Sequence, residues 1–188
     1  MYGMEYHIKA IDIDDAKDVF LLAKDRLLDV SDWNTLSGNT EYKIALTNNK
    51  GQKVHRDARV FDKLQISTSN SSGISSDMWV QISQIQYDYF PDIDNECISM
   101  LLEMTFSPSG NGIDITEHTA VETILIKRNK EEVTAHCNGG NELPNIDDEV
   151  PDVHINTDAE LHPVLSIPNV QLQNLLRGLI SVDEYTPM

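Results

Sequence analysis

The sequence predicts an α+β fold in which a curved antiparallel β-sheet packs against an N-terminal and a C-terminal helix. Two segments near opposite ends carry apolar residues at helical spacing, Ala16 to Val30 and Leu172 to Leu179. Between them, roughly a hundred residues show the alternating pattern of half-buried strands broken by turn clusters. That order of elements restricts the fold without naming a reaction.

The first element is a strand, because Tyr6, Ile8 and Ala10 alternate with Glu5, His7 and Lys9. The period then changes. Asp12 and Asp14 offer N-cap oxygens and Asp15 suits the positive end of a helix dipole. Ala16, Val19, Phe20, Ala23, Leu27 and Val30 make one helical stripe that ends near Ser31. The connection Asp32-Trp33-Asn34-Thr35-Leu36-Ser37-Gly38 is too polar to continue regularly, although a short helical turn fits it.

Strands resume at Glu41, with Tyr42, Ile44 and Leu46 on one face. Asn48-Asn49-Lys50-Gly51 has the chemistry of a hairpin turn leading into Val54. A further strand over Asp62 to Thr68 places Leu64 and Ile66 together, and the Ser, Thr, Asn and Gly of Ser67 to Ser76 suggest a surface loop. In Met78 to Phe90 the apolar phase runs Met78, Val80, Ile82 and then Ile85, Tyr87, Tyr89, so a β-bulge is expected near Ser83-Gln84. From Ile98, the residues Met100, Leu102, Met104 and Phe106 hold one face, as in a central strand.

After the turn cluster Ser107 to Gly112, Thr119 to Lys127 and Glu131 to Cys137 form a hairpin through Arg128-Asn129-Lys130. Asn138-Gly139-Gly140-Asn141 ends the last strand, and the acid-rich Asn145 to Glu160 reads as a wandering surface segment. Leu172, Leu175, Leu176 and Leu179 then occupy one face of a final helix, capped by Ser166 or Asn169, with Pro168 tolerated in its first turn.

The 188 residues fit a single domain, 1–188. A composition of 40% hydrophobic and 24% charged residues supports a core without disulfides or metal. No apolar run approaches the ~20 residues that cross a bilayer, and no secretory signal is visible at the N-terminus, so the expected location is cytoplasmic. Cys97 and Cys137, each in a strand-like pattern, are expected to be buried reduced thiols. With 31 acidic against 14 basic residues the net charge is −17. That charge opposes phosphate backbones and anionic lipid, so neither nucleic acid nor membrane is an expected partner. The densest basic group, Lys127 to Lys130, precedes Glu131-Glu132 as in a solvated turn.

The helix over Asp14 to Leu28, the Asp32-Trp33-Asn34 connection and the helix around Leu172 to Ile180 resemble, in order and topology, the START-like helix-grip family, also called the SRPBCC superfamily. The resemblance implies a curved sheet gripping the C-terminal helix around a cavity for a hydrophobic ligand. This chain differs in a shorter last helix and a longer polar stretch, Asn138 to Pro163. A closed β-barrel with flanking helices is the alternative architecture.

No site chemistry stands out. The histidines His7, His55, His118, His136, His154 and His162 are too dispersed for a metal site. His136 and Cys137 are adjacent on a strand and therefore point to opposite faces. Asp92-Ile93-Asp94-Asn95-Glu96 lacks the glycine and distal glutamate of a calcium loop, the acids Asp147, Asp148, Glu149, Asp152 and Asp158 read as solubilising, and Gly139-Gly140 is followed by no helix to bind phosphate. No cofactor, metal or catalytic residue is assigned. Trp33, Trp79, Met100, Met104 and Phe106 are the candidate ligand-lining residues, since large adaptable side chains suit an apolar cavity as well as a core. The leading expectation is a binding protein for a small hydrophobic ligand between sheet and C-terminal helix. The alternatives are a protein–protein interaction or assembly module, a homo-oligomer included, and a hydrolase or cyclase using His118, Glu122 or His136 as cavity acid or base.

Overall fold

The computed structural model describes residues 2–38, 42–69, 75–110, 121–139 and 167–182. In chain order these form β1 (Tyr2–Lys9), α1 (Ile13–Leu28), α2 (Trp33–Ser37), β2 (Tyr42–Thr47), β3 (Lys63–Ser69), β4 (Ser75–Phe90), β5 (Asn95–Thr105), β6 (Val121–Asn129), β7 (Glu132–Gly139) and α3 (Asn169–Ile180). The seven strands make one antiparallel sheet, order β1-β7-β6-β5-β4-β3-β2, curled into a half-barrel. The fold is therefore α+β with a curved sheet. Among the described helices none is long and apolar enough to cross a membrane.

The helix α1 forms where the sequence changes period. The Asp12 carboxylate accepts the Asp15 amide hydrogen at 2.9 Å, which satisfies one of the unpaired donors at the helix start. Its apolar stripe, Ala16, Val19, Phe20, Ala23 and Leu27, is buried, and each large side chain taken from water contributes about 1.5–3 kcal/mol. The connection after it does form the short helix α2, with Trp33 fully buried and Gly38 closing it in the left-handed region at φ 64°.

On the sheet, β5 is the fourth of seven strands. The pairing of β4 with β5 slips between Ile82 and Gln84, and this bulge returns Ile85 to the face that Val80 and Ile82 occupy. The β2 turn forms as expected at residues 48–51, but the returning chain makes only a Thr47–Lys53 bridge and one bond from the Val54 amide to the Leu46 carbonyl before leaving the sheet. It leaves because Asp62 anchors residues 56–62. Arg56 grips the Asp62 carboxylate with two hydrogen bonds, at 2.6 and 2.9 Å, and the Arg59 amide donates to it as well. The partner of β2 is β3 instead.

Of the stretch Ser67 to Ser76 expected as a surface loop, the described residues 67–69 and 75–76 are strand, since β3 and β4 stay paired from Lys63–Gln81 to Ser69–Ser75. The ladder begun by Leu64 and Ile66 carries the polar residues with it, and residues 70–74 lie outside the described ones. Helix α3 begins at Asn169 with Pro168 as its N-cap, and no side-chain cap is seen. Pro168 has no amide hydrogen and its carbonyl accepts from Leu172 at 3.0 Å. Ser166, like Asn145 to Glu160, lies outside the described residues.

Both long helices sit on the concave face. Ile8, Phe20, Leu27, Trp33, Leu64, Ile82, Met100, Ile124 and the leucines of α3 belong to one apolar core. Arg26 of α1 donates to the carbonyls of Gly178 and Ser181, at 3.0 and 2.5 Å, and so caps the end of α3.

Candidate functional site

The strand register fixes what the concave face presents. Met100 lies opposite Ile85 on one side and Ile124 on the other, and Ile124 lies opposite Cys137. One step along, Leu102 lies between Ile82 and Glu122, and Met104 faces Val80. Side chains on alternate residues of paired strands share a face. Met100, Leu102 and Met104 therefore form a ridge on the concave side with Glu122 and Cys137 beside it.

Of the five residues expected to line a cavity, the structure places three together in or against the core. Met100 and Trp33 are fully buried and Met104 packs on the core. The Trp33 indole donates to the Arg26 carbonyl at 3.0 Å, which ties α2 to α1. Trp79 lies in register with Gln65 and Thr105, on the face opposite Val80, with its ring near Gly51. Phe106 follows the end of β5 and is 41% exposed, because the strand stops one residue before it.

Glu122 is fully buried. The Cys137 thiol donates to its carboxylate at 2.9 Å, across the diagonal of neighbouring strands. Burial, and then the adjacent carboxylate, pushes the Cys137 thiol well above its ordinary range, so this sulfur stays protonated and is no nucleophile. His136 points to the opposite face beside Glu5, its cross-strand neighbour, and burial lowers its pKa. Cys137 and His136 thus form no nucleophile–base pair, and His118 lies outside the described residues. Both cysteines are free and buried.

At the other end of the sheet, the solvated turn expected at Lys127 to Lys130 forms with Asn129 and Lys130 exposed, but Arg128 turns inward into a buried charged network. Arg128 is fully buried and its Nε donates to Glu96 at 2.6 Å. Its Nη1 donates to the carbonyls of Asp94 and Lys130 at 3.1 and 3.2 Å, while Nη2 has no hydrogen-bond partner among the described residues. The Tyr87 hydroxyl donates to the other oxygen of Glu96 at 2.9 Å. Burial and that bond push the phenol up to about 12. Arg128 therefore joins the β4–β5 and β6–β7 turns. Its hydrogen bonds within the chain are the reason it does not sit in solvent.

Three or more His, Cys, Asp or Glu side chains do not gather into a metal-binding group among the described residues. Compared with protein-family models, curated proteins and solved structures, the chain matches none. A curled antiparallel sheet with flanking helices is compatible with a helix-grip fold. The sequence resemblance stops at that level.

Proposed function

We propose that the protein binds a small, largely apolar molecule carrying a hydrogen-bond donor or a positive charge, between the concave face of the sheet and α3. The observation that carries this reading is Glu122, a fully buried carboxylate beside the methionine ridge of β5. Burying a carboxylate opposes folding by several kcal/mol before any compensation. A position that only filled the core would be served better by Leu or Val. Mostly apolar ligand sites carry a small number of placed polar groups that fix the ligand's orientation. Met100 and Met104 supply unbranched, polarizable walls that adapt to a ligand's shape, and Glu122 fixes its polar end. Binding without turnover accords with a Cys137 that stays protonated and a His136 on the far face.

The test is a binding panel of apolar amines, alcohols and carboxylic acids of matched size, read by isothermal calorimetry on the full chain. Amines and alcohols should bind and acids should not, and Glu122→Gln should weaken the amines by about tenfold or more while leaving the fold intact by circular dichroism. Equal behaviour of the three classes, or amine affinity unchanged in Glu122→Gln, would overturn the reading. Native mass spectrometry of the purified protein provides a second check, in which a reproducible adduct should be an apolar molecule with a donor group.

A further inference from the structure

Strand β4 is 16 residues long and β3 covers only its first half. Pairing with β3 ends at Gln81, and Ile82 exchanges its two main-chain bonds with residues 61 and 62. From Gln84 to Phe90 the side of β4 away from β5 has no main-chain partner among the described residues. The opposite arrangement holds at β2, whose outer edge is occupied. Asn34 accepts from the Ile44 amide and donates to the Ile44 carbonyl, both at 2.8 Å, and Val54 bonds Leu46. At β1, the other end of the sheet, the main chain likewise pairs on one side only, with β7, but there Ile8 is buried and Arg177 covers Tyr6 at 4.5 Å. Along the open half of β4, by contrast, Tyr87 and Tyr89 remain 48% and 53% exposed.

We propose that this half-strand is where a second copy of the chain pairs, antiparallel and about a two-fold axis at Tyr87. Ile82 directs its N–H and C=O away from β5. Across the one-residue bulge that role passes to Ile85, Tyr87 and Tyr89. A two-fold axis at Tyr87 places each of these opposite an equivalent outward-directed residue. Tyr87 meets Tyr87 of the second copy and Ile85 meets Tyr89 of the second copy, making about six main-chain hydrogen bonds. The same register sets Gln86 opposite Asp88 of the second copy, twice. Within one chain Gln86 already donates to Asp88 at 2.8 Å, and its amide has a second hydrogen to donate across the axis. Asp88 therefore avoids its own image, which matters in a chain of net charge −17. Exposed Phe61, whose amide bonds Ile82, stands at the head of the open edge and adds apolar surface to a contact that is otherwise narrow.

Sedimentation velocity of the full chain across a concentration series, in low and in high NaCl, tests this. A monomer–dimer equilibrium that tightens with salt is expected, since screening relieves the repulsion between two acidic copies. Gln86→Glu places a carboxylate against Asp88 twice and should weaken the dimer by about tenfold; Gln86→Lys should tighten it by a similar factor. Gln86 lies on the outward face, and circular dichroism of both variants should match wild type. A chain that stays monomeric at every concentration, or a dimer indifferent to both substitutions, would overturn the proposal. Because neither substitution touches Glu122 or the methionine ridge, failure here leaves the ligand-binding reading standing.

Discussion

Arg128 and Glu96 show how one pair of residues decides the stability of one end of the molecule. Their side chains are 0% and 8% exposed, so removing one partner strands the other's charge away from water. Glu96→Gln is expected to lower unfolding free energy by about 3–5 kcal/mol, a cost set by the orphaned guanidinium rather than by the lost attraction. Replacing both, as Glu96→Leu with Arg128→Met, should cost much less than the sum of the single changes. The attraction of the pair is largely offset by its desolvation, and the unpartnered Nη2 adds to that burden. Urea unfolding of Glu96→Leu, Arg128→Met and the double variant makes the comparison, and additive losses would show that the pair is not coupled.

At the scale of elements, α2 and α3 approach each other closely at Gly178. A Cβ built on Gly178 would lie 2.9 Å from the Leu36 Cβ and 3.1 Å from the Leu36 carbonyl oxygen. Alanine is the better helix former by about 1 kcal/mol, yet Gly178→Ala must push α3 from α2, an overpacking cost of about 1–3 kcal/mol. The steric term acts against backbone and should win, so the variant is expected to melt below wild type; a higher melting temperature would refute the contact. Periodicity made most elements legible: the α1 stripe, the β4 bulge, the centrality of β5 and the leucine face of α3 are local patterns in a short window. What escaped were long-range polar contacts. Arg128 looks like a turn residue until Glu96 is brought beside it from 32 residues away, and Arg56 gives no local sign that Asp62 will hold it. The site was half legible for the same reason. Alternation assigned Met100 and Met104 to one face, and the same rule already sets Trp79 on the other side from Val80, so its choice as a lining residue ran against the pattern; what no local pattern shows is that Phe106 falls beyond the end of β5. Glu122 was one of three acid–base candidates, and only the sheet register put it beside Cys137.

For the molecule as a whole, the balance of charge opposes the compact state. A net charge of −17 over 188 residues creates self-repulsion that folding concentrates. The described ion pairs give salt little to weaken. Lys17–Asp14 is exposed and contributes little in water, whereas Arg128–Glu96 is buried and poorly screened. Arg56–Asp62 lies between these cases, with a carboxylate side chain only 6% exposed. Screening therefore removes more repulsion than attraction as the Debye length shrinks from about 30 Å at 0.01 M to about 3 Å at 1 M. The melting temperature should rise steadily with NaCl, most steeply at low salt, and a neutral osmolyte at equal osmolality should not reproduce the low-salt part of the curve. A melting temperature that falls with NaCl would mean that specific ion pairs, rather than the overall acidic excess, dominate the electrostatics of this fold.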